Sequence, residues 1–268
     1  MLATFHNHST WSDGQASLEE LYAHAGLIGV DILGVSDHFC VYPDGTVLEG
    51  SLTPSNVAGY VAGVRGLQRK DGIEVVAGIE FDWFEQSRDT LAPYANGLPL
   101  DYRIGSVHHV GDQAFDIDAS FWVSKTDGEV NGVYAAYWRL VRQMAESRLF
   151  DIAAHLDLPK KFGFYPKTDL HALEDAALDA IKASDMAVEL NTAGFGKPCA
   201  DGYPSVDILK RCRSREIPVT LSADAHTPGH LLFEFKRGLA NLREAGYSSV
   251  ARFRNRERWS EPLSRALP

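Results

Sequence analysis

Several things are scarce in this chain of 268 residues. Cysteine occurs three times, at Cys40, Cys199 and Cys212, with no Cys-x-x-Cys pair and an odd count. That argues against a disulfide framework and fits a reducing compartment. No run of about 18 apolar residues is present, so no membrane span is expected. The first residues carry neither a basic nor an apolar segment of the signal-peptide kind, which predicts a cytoplasmic protein. Positive charge is also short, since 26 Lys and Arg face 36 Asp and Glu, a formal net charge of −10. Such a chain repels phosphate backbones except where local cations or metals intervene, which disfavours nucleic acid as a partner. Linkers, repeats and low-complexity tracts are missing, so residues 1–268 are expected to form a single domain.

What is present is an alternation of short apolar runs with longer amphipathic stretches. Strands are expected at Leu2–His6, Asp31–Ser36, Ile73–Ile79, Tyr102–Val107, Asp151–His155, Ala187–Leu190 and Pro218–Leu221, with a possible eighth at Ser248–Arg254. Helical patterns fall at Ser17–Ile28, which opens with the capping pair Ser17 and Glu20, and at Thr53–Lys70, Asn131–Leu149, Leu170–Ser184, Ser205–Arg215 and Gly229–Ala245. Strands alternating with helices predict an α/β fold with a mostly parallel sheet, and seven or eight such units favour a closed or nearly closed TIM-like barrel. The stretches Asp82–Leu100 and Val110–Gly128 lack a pattern and are expected to be functional loops on one rim.

The decisive feature is where the metal-capable side chains fall. Every predicted strand ends in one: His6-Asn7-His8, Ser36-Asp37-His38, Gly78-Ile79-Glu80, Ser106-Val107-His108-His109, His155-Leu156-Asp157, Glu189-Leu190-Asn191 and Asp224-Ala225-His226. Asp13 follows the first of these closely. Barrel enzymes build their sites at the C-terminal ends of strands. Alternate residues on a strand share a face, so His6 and His8 can address one ion, and Asp224 with His226 can do the same. Glu80 ends a very apolar strand, where an unpaired carboxylate is costly and a bridged metal pair would remove the cost. Nine candidate ligands (His6, His8, Asp13, His38, Glu80, His108, His155, Asp224 and His226) exceed what one tetrahedral ion needs. They predict two or three divalent ions, of Zn, Mn or Fe type. Taken singly, each piece has a plain alternative: a buried histidine, an Asp-Gly turn at Asp13, or loop packing at Glu189-Leu190-Asn191.

Phe5-His6-Asn7-His8-Ser9, Ser12-Asp13-Gly14, Ser36-Asp37-His38, Gly78-Ile79-Glu80 and Ala223-Asp224-Ala225-His226 resemble, in order, the motif series of the PHP (polymerase and histidinol phosphatase) superfamily. Ile104–Val110, His155–Gly163, Glu189–Gly194, Tyr203–Ser205 and Ile217–Leu221 resemble its histidinol-phosphatase branch. The resemblance implies a distorted (β/α)7 barrel with metals at its C-terminal mouth. It further implies one ion among His6, His8, Glu80 and Asp224, a second among Glu80, His108 and His155, and a third among Asp13, His38 and His226. His109 competes with His108, since both cannot easily point inward from one strand.

The expected substrate is a small phosphomonoester, L-histidinol phosphate, cleaved by a metal-bound hydroxide. Lys160 and Lys161 follow the fifth strand, where either could neutralise phosphate or simply form a solvated loop. Asp224 or His226 would protonate the leaving alcohol. Asp82, Trp83, Phe84 and Glu85 offer acidic and aromatic groups for an imidazole and an amine, or else pack the rim. Arg252, Arg254, Arg256 and Arg258 alternate along the last predicted strand. A charged edge that resists strand pairing explains them better than substrate attraction does. The alternative activity is a phosphoesterase of the same superfamily acting on nucleotides or oligonucleotides, which would require a basic channel. An amidohydrolase is disfavoured, since that class does not need Asp37-His38 or a terminal Asp-x-His. A metal-stabilised accessory domain of a polymerase is disfavoured by chain length.

Overall fold

The computed structural model describes residues 1–67 and 72–265. Lys70, expected at the end of the second helix, lies outside the described residues. In chain order the strands are β1 (Ala3–Thr4), β2 (Ile32–Val35), β3 (His38–Phe39), β4 (Glu74–Ala77), β5 (Glu80–Asp82), β6 (Ile104–Ser106), β7 (His109–Val110), β8 (Gln113–Ala114), β9 (Ile152–Ala153), β10 (Ala187–Asn191), β11 (Val219–Ser222), β12 (Ser249–Arg254) and β13 (Glu257–Pro262). The helices are α1 (Leu18–Leu27), α2 (Val57–Gly66), α3 (Arg88–Gly97), α4 (Ser120–Val123), α5 (Asp127–Glu146), α6 (His171–Ala183), α7 (Val206–Ser214) and α8 (Phe235–Glu244).

Two parallel sheets result, in the orders β1-β2-β4 and β3-β5-β6-β9-β10-β11. They join because β2 and β3 are one strand path interrupted at Ser36-Asp37, while β4 and β5 are another interrupted at Gly78-Ile79. Seven parallel strand paths follow from this, matching the seven expected from sequence. The first path meets the last at the Asn7–Ala225 bridge, where the His8 amide donates to the Ala225 carbonyl at 2.9 Å.

The interruption of the second path has a local cause. The Asp37 carboxylate is fully buried and accepts from the amides of Ser9 and Ser12 and from both their hydroxyls, at 2.6–3.0 Å. The Asp37 backbone amide donates to the Tyr60 hydroxyl at 3.1 Å instead of to a neighbouring strand, and there the ladder breaks.

Against the parallel strands, Phe5 meets Tyr102 and Phe253 edge-on at centroid distances of 5.4 and 5.7 Å. The Tyr102 hydroxyl donates to the Phe5 carbonyl. A Cβ at Gly34 or Gly78 would overlap the Tyr102 side chain, so both positions are glycine for close approach. A second, larger core is completed by the apolar faces of the helices and includes Trp122, Trp138, Tyr60 and Leu21.

Three expectations change. The stretch Asp82–Leu100 contains α3, which buries Leu91 and Ala95, and Val110–Gly128 contains β8 and α4. The eighth strand pairs antiparallel with β13 in a separate hairpin. The four arginines therefore do not share one strand face. Arg252 and Arg254 lie on β12, Arg256 in the turn and Arg258 on β13, because Asn255 and Arg256 adopt positive φ (50° and 65°) and reverse the chain. Capping held where the sequence showed it: Ser17 and Glu20 form a reciprocal capping box on α1.

Candidate metal centre

The C-terminal ends of the seven strand paths converge, and with them eight of the nine predicted ligands, while Asp13 arrives from the loop after β1. His6 Nε2 lies 3.1 Å from Glu80 Oε2, and His8 Nε2 lies 3.1 Å from Asp224 Oδ1. The cross distances, His6 to Asp224 and His8 to Glu80, are 3.7 and 3.6 Å. On the other oxygen of Glu80, His155 Nε2 sits at 2.9 Å and His108 Nε2 at 3.6 Å. Asp13 faces His226 Nε2 at 3.2 Å and both His8 and His38 at 3.8 Å. The His8 ring is stacked between those of His38 and His226, with centroids 4.4 and 4.3 Å away. The candidate ligand groups include His6–Glu80–His155, His6–His8–Asp224 and His8–Asp13–His38–His226.

Whether these residues fit metal ions can be tested on their own hydrogen bonding. Buried polar atoms are nearly always paired. Here His6 Nε2, both ring nitrogens of His8 and Glu80 Oε2 are buried without a hydrogen-bond partner, although the two Nε2 atoms and the carboxylate oxygen converge. Three other ring nitrogens, by contrast, are tied back. His6 Nδ1 meets Glu189 Oε1 at 2.8 Å, His108 Nδ1 meets Asp82 Oδ1 at 2.6 Å, and His226 Nδ1 faces the Asp224 carbonyl at 3.0 Å. A carboxylate or carbonyl behind one nitrogen fixes the tautomer and offers the other as a ligand. The donor set therefore fits divalent cations.

Electrostatics point the same way. Against the cost of burial, His6 and His38 hold Glu80 far below the usual carboxylate range, and His6, His8 and His226 do so for Asp224. Burial would depress the imidazoles, yet Glu80 and Asp82 raise His38 to about 9, and Asp82, Asp116 and Glu80 raise His108 to about 10. Burial, helped by His38 and His226, lowers His8 to about 4. The cluster demands positive charge wherever a carboxylate is buried, and divalent ions would meet that demand with imidazole left neutral.

Local backbone conformation serves the same end. Asp224 and Asp157 hold positive φ, 53° and 58°, a region non-glycine residues rarely enter and one that clusters at functional sites. A Cβ on Gly14 would overlap the His8 carbonyl, so this glycine lets the Asp13 turn lie directly on the strand that carries His8.

The profile of the PHP domain matches residues 4–193. This chain belongs to the PHP-domain family. It is 35% identical over 200 residues to a probable histidinol-phosphatase of Deinococcus radiodurans, covering 74% of this chain and 75% of the relative. It is 23% identical over 257 residues to the histidinol-phosphatase of Lactococcus lactis, covering 93% of each. The crystal structure of the Lactococcus lactis enzyme, complexed with zinc, L-histidinol and phosphate, superposes with a TM-score of 0.81 at 21% identity over 96% of this chain and 98% of that one. A putative histidinol phosphatase of Listeria monocytogenes gives 0.73 at 18% identity, covering 88% and 99%.

A cavity of ≈ 390 Å³ opens over the PHP cluster, lined in part by Asp13, His38, His108, Asp224 and His226. Lys161 lines it too, whereas Lys160 does not. Lys160 is 4% exposed, and its ammonium donates to Asp157 at 2.9 Å, Asp201 at 2.7 Å and the Gly202 carbonyl at 2.8 Å. With three hydrogens on three partners it ties the end of the fifth strand path to residues 201–202. His108 points to the cluster, while His109 turns to Tyr42, whose hydroxyl lies 3.1 Å from its Nε2. Trp83 and Phe84 are buried packing, and Glu85 lines a different cavity, so of the Asp82–Glu85 stretch only Asp82 reaches the site.

Sequence reasoning missed the supporting acids. Glu189, a metal-capable strand end that the sequence allows equally as loop packing, orients His6 and accepts the His155 amide at 3.0 Å. Asp82, which the sequence leaves open between specificity and rim packing, orients His108. Their position at strand ends was the available signal. Asp116 and the 48–50 segment, also on the cavity wall, gave no signal in the sequence.

Proposed function

We propose that this PHP protein hydrolyses L-histidinol phosphate to L-histidinol and inorganic phosphate, using two or three divalent ions of Zn, Mn or Fe type. The convergence of the unpartnered atoms of His6, His8 and Glu80 on Asp224 carries the reading, and the names of the relatives supply the substrate. On this reading residues 1–268 are one cytoplasmic domain, and the seven strand paths form a distorted (β/α)7 barrel. The Asn7–Ala225 bridge supports that closure. None of the helices among the described residues is long and apolar enough to cross a membrane.

His6, His8, Glu80 and Asp224 would hold one ion and Glu80, His108 and His155 a second, with Asp13, His38 and His226 available to a third. Bound there, the ions would supply Lewis-acid charge to the phosphoryl oxygens and a nucleophile at neutral pH. The chain does the rest. Glu189 and Asp82 keep the imidazoles oriented. Asn191 holds the Asp224 carboxylate through a 3.2 Å hydrogen bond. Lys161 neutralises a phosphate oxygen as a point charge. Of Asp224 and His226, both on the cavity wall, His226 delivers the proton to the leaving alkoxide, because Asp224 is held ionised. Lys160 acts behind the wall, as a tether.

The test is phosphate release by metal-loaded protein from L-histidinol phosphate, an aryl phosphate, a nucleoside monophosphate and a short oligonucleotide. A kcat/KM for histidinol phosphate orders of magnitude above the others is expected. Chelation should abolish turnover, and the ion should restore it. Equal rates on all monoesters, or preference for the oligonucleotide, would overturn the substrate assignment.

A further inference from the structure

The cavity over the cluster holds several acids but one lysine, and that lysine is engaged. Lys161 donates to Asp116 Oδ2 at 3.3 Å, and both side chains remain partly open to the cavity, at 20% and 17% exposure. Both partners stand on fixed backbone. Asp116 follows Phe115, which is fully buried, donates its amide to the His108 carbonyl at 3.1 Å and accepts the Trp122 indole N–H on its own carbonyl at 2.7 Å. Lys161 follows the tethered Lys160. Beside Asp116 stands Ile117, a large apolar side chain 74% exposed on the same wall.

We propose that the Asp116–Lys161 pair is a charge-exchange clamp that makes Asp116 the specificity-determining residue for a phosphomonoester carrying an amine. On binding, the phosphate takes Lys161 and the substrate ammonium takes Asp116, so both separated charges are replaced by new partners and neither is left bare. The assignment rests on the function proposed above. The other acids on the wall are spoken for: Asp13 by His226, Asp82 by His108 and Asp224 by His8 and Asn191. Glu49 remains, exposed on the rim. A phosphomonoester without an amine would pull Lys161 away and leave Asp116 half-buried and unpaired, a cost that discriminates against it.

The experiment compares metal-loaded wild-type protein with Asp116→Asn on three substrates: L-histidinol phosphate, its analogue lacking the amine, and 4-nitrophenyl phosphate. Wild-type protein should favour histidinol phosphate over the amine-free analogue by about ten- to hundredfold in kcat/KM, as expected for a charge-assisted hydrogen bond. Asp116→Asn should erase that preference, chiefly through KM, while 4-nitrophenyl phosphate turnover holds or rises because Lys161 is released. An equal fall on all three substrates would make Asp116 a support of the site and overturn the clamp. The wild-type comparison needs no variant, so equal rates on the amine-bearing and amine-free esters would overturn the clamp even if Asp116→Asn failed to fold. Failure of the proposed function reads out separately, as wild-type turnover of histidinol phosphate no faster than of 4-nitrophenyl phosphate.

Discussion

The two ends of the parallel strands carry the same kind of residue and treat it in opposite ways. At the N-terminal ends stand Asp31, Glu74, Asp101, Asp151 and Asp185. Asp31 accepts the Leu2 amide at 2.6 Å, and Asp101 accepts the amides of Ala77 and Asn255 at 2.8 and 2.9 Å. Glu74 pairs with Arg254, Asp151 with Arg256 at 2.8 Å, and Asp185 with Arg258 at 2.6 Å. The β12–β13 hairpin thus brings one arginine to each of three acids, and each acid has a permanent partner. At the C-terminal ends the acids face imidazoles, and the inward Nε2 atoms of His6 and His8 have no hydrogen bond although carboxylates stand beside them. A strand-end carboxylate alone is uninformative; what marks the site is the partner left unmade.

Breaking the upper end should cost most. Glu80→Gln removes the carboxylate proposed to serve both inner ions and should lower kcat/KM by about a thousandfold or more, with the circular dichroism spectrum unchanged. Normal turnover in that variant would dissolve the contrast between the two ends. Next in size is a purely structural loss at the lower end: Phe253→Ala empties a buried site against Phe5 and Tyr102. It should cost about 3–5 kcal/mol in denaturant unfolding, while kcat/KM of the folded fraction stays the same. Glu189→Gln keeps the shape but weakens the hold on His6, so metal affinity, read by competition with a chelator, should fall about 10- to 100-fold. Least affected should be Arg256→Ala, an ion pair at a partly exposed turn, with at most about 1 kcal/mol of stability lost and activity untouched. A larger loss there would mean that the lower end is more than a fastening.

The sequence made the site's membership legible and its orientations much less so. Histidines and acids at successive strand ends announce themselves because a parallel fold brings those ends together whatever the loops do. Alternation on a strand could not choose between His108 and His109, since the chain leaves β6 before them and the direction of each ring is decided by Asp82 and Tyr42. It could not separate Lys160 from Lys161 either, because they sit in a tight helical turn where neighbours diverge, one to Asp157 and Asp201 and the other to the cavity. The arginine alternation misled for a related reason. Period two holds only while a strand runs straight, and the reversal at Asn255-Arg256 sends Arg254, Arg256 and Arg258 to three different acids.

The meeting of the first strand path with the last also has a consequence for how the protein is made. His6 and His8 leave the ribosome some two hundred residues before the facing Asp224 and the backbone partner Ala225 of the first strand path, and Phe253, which packs on Phe5, comes later still. Closing such distant contacts is entropically slow. A nascent chain that ends before Asp224 has the His-x-His pair without that carboxylate. Ion capture therefore waits for Asp224 to emerge, when the polypeptide can enclose what it binds.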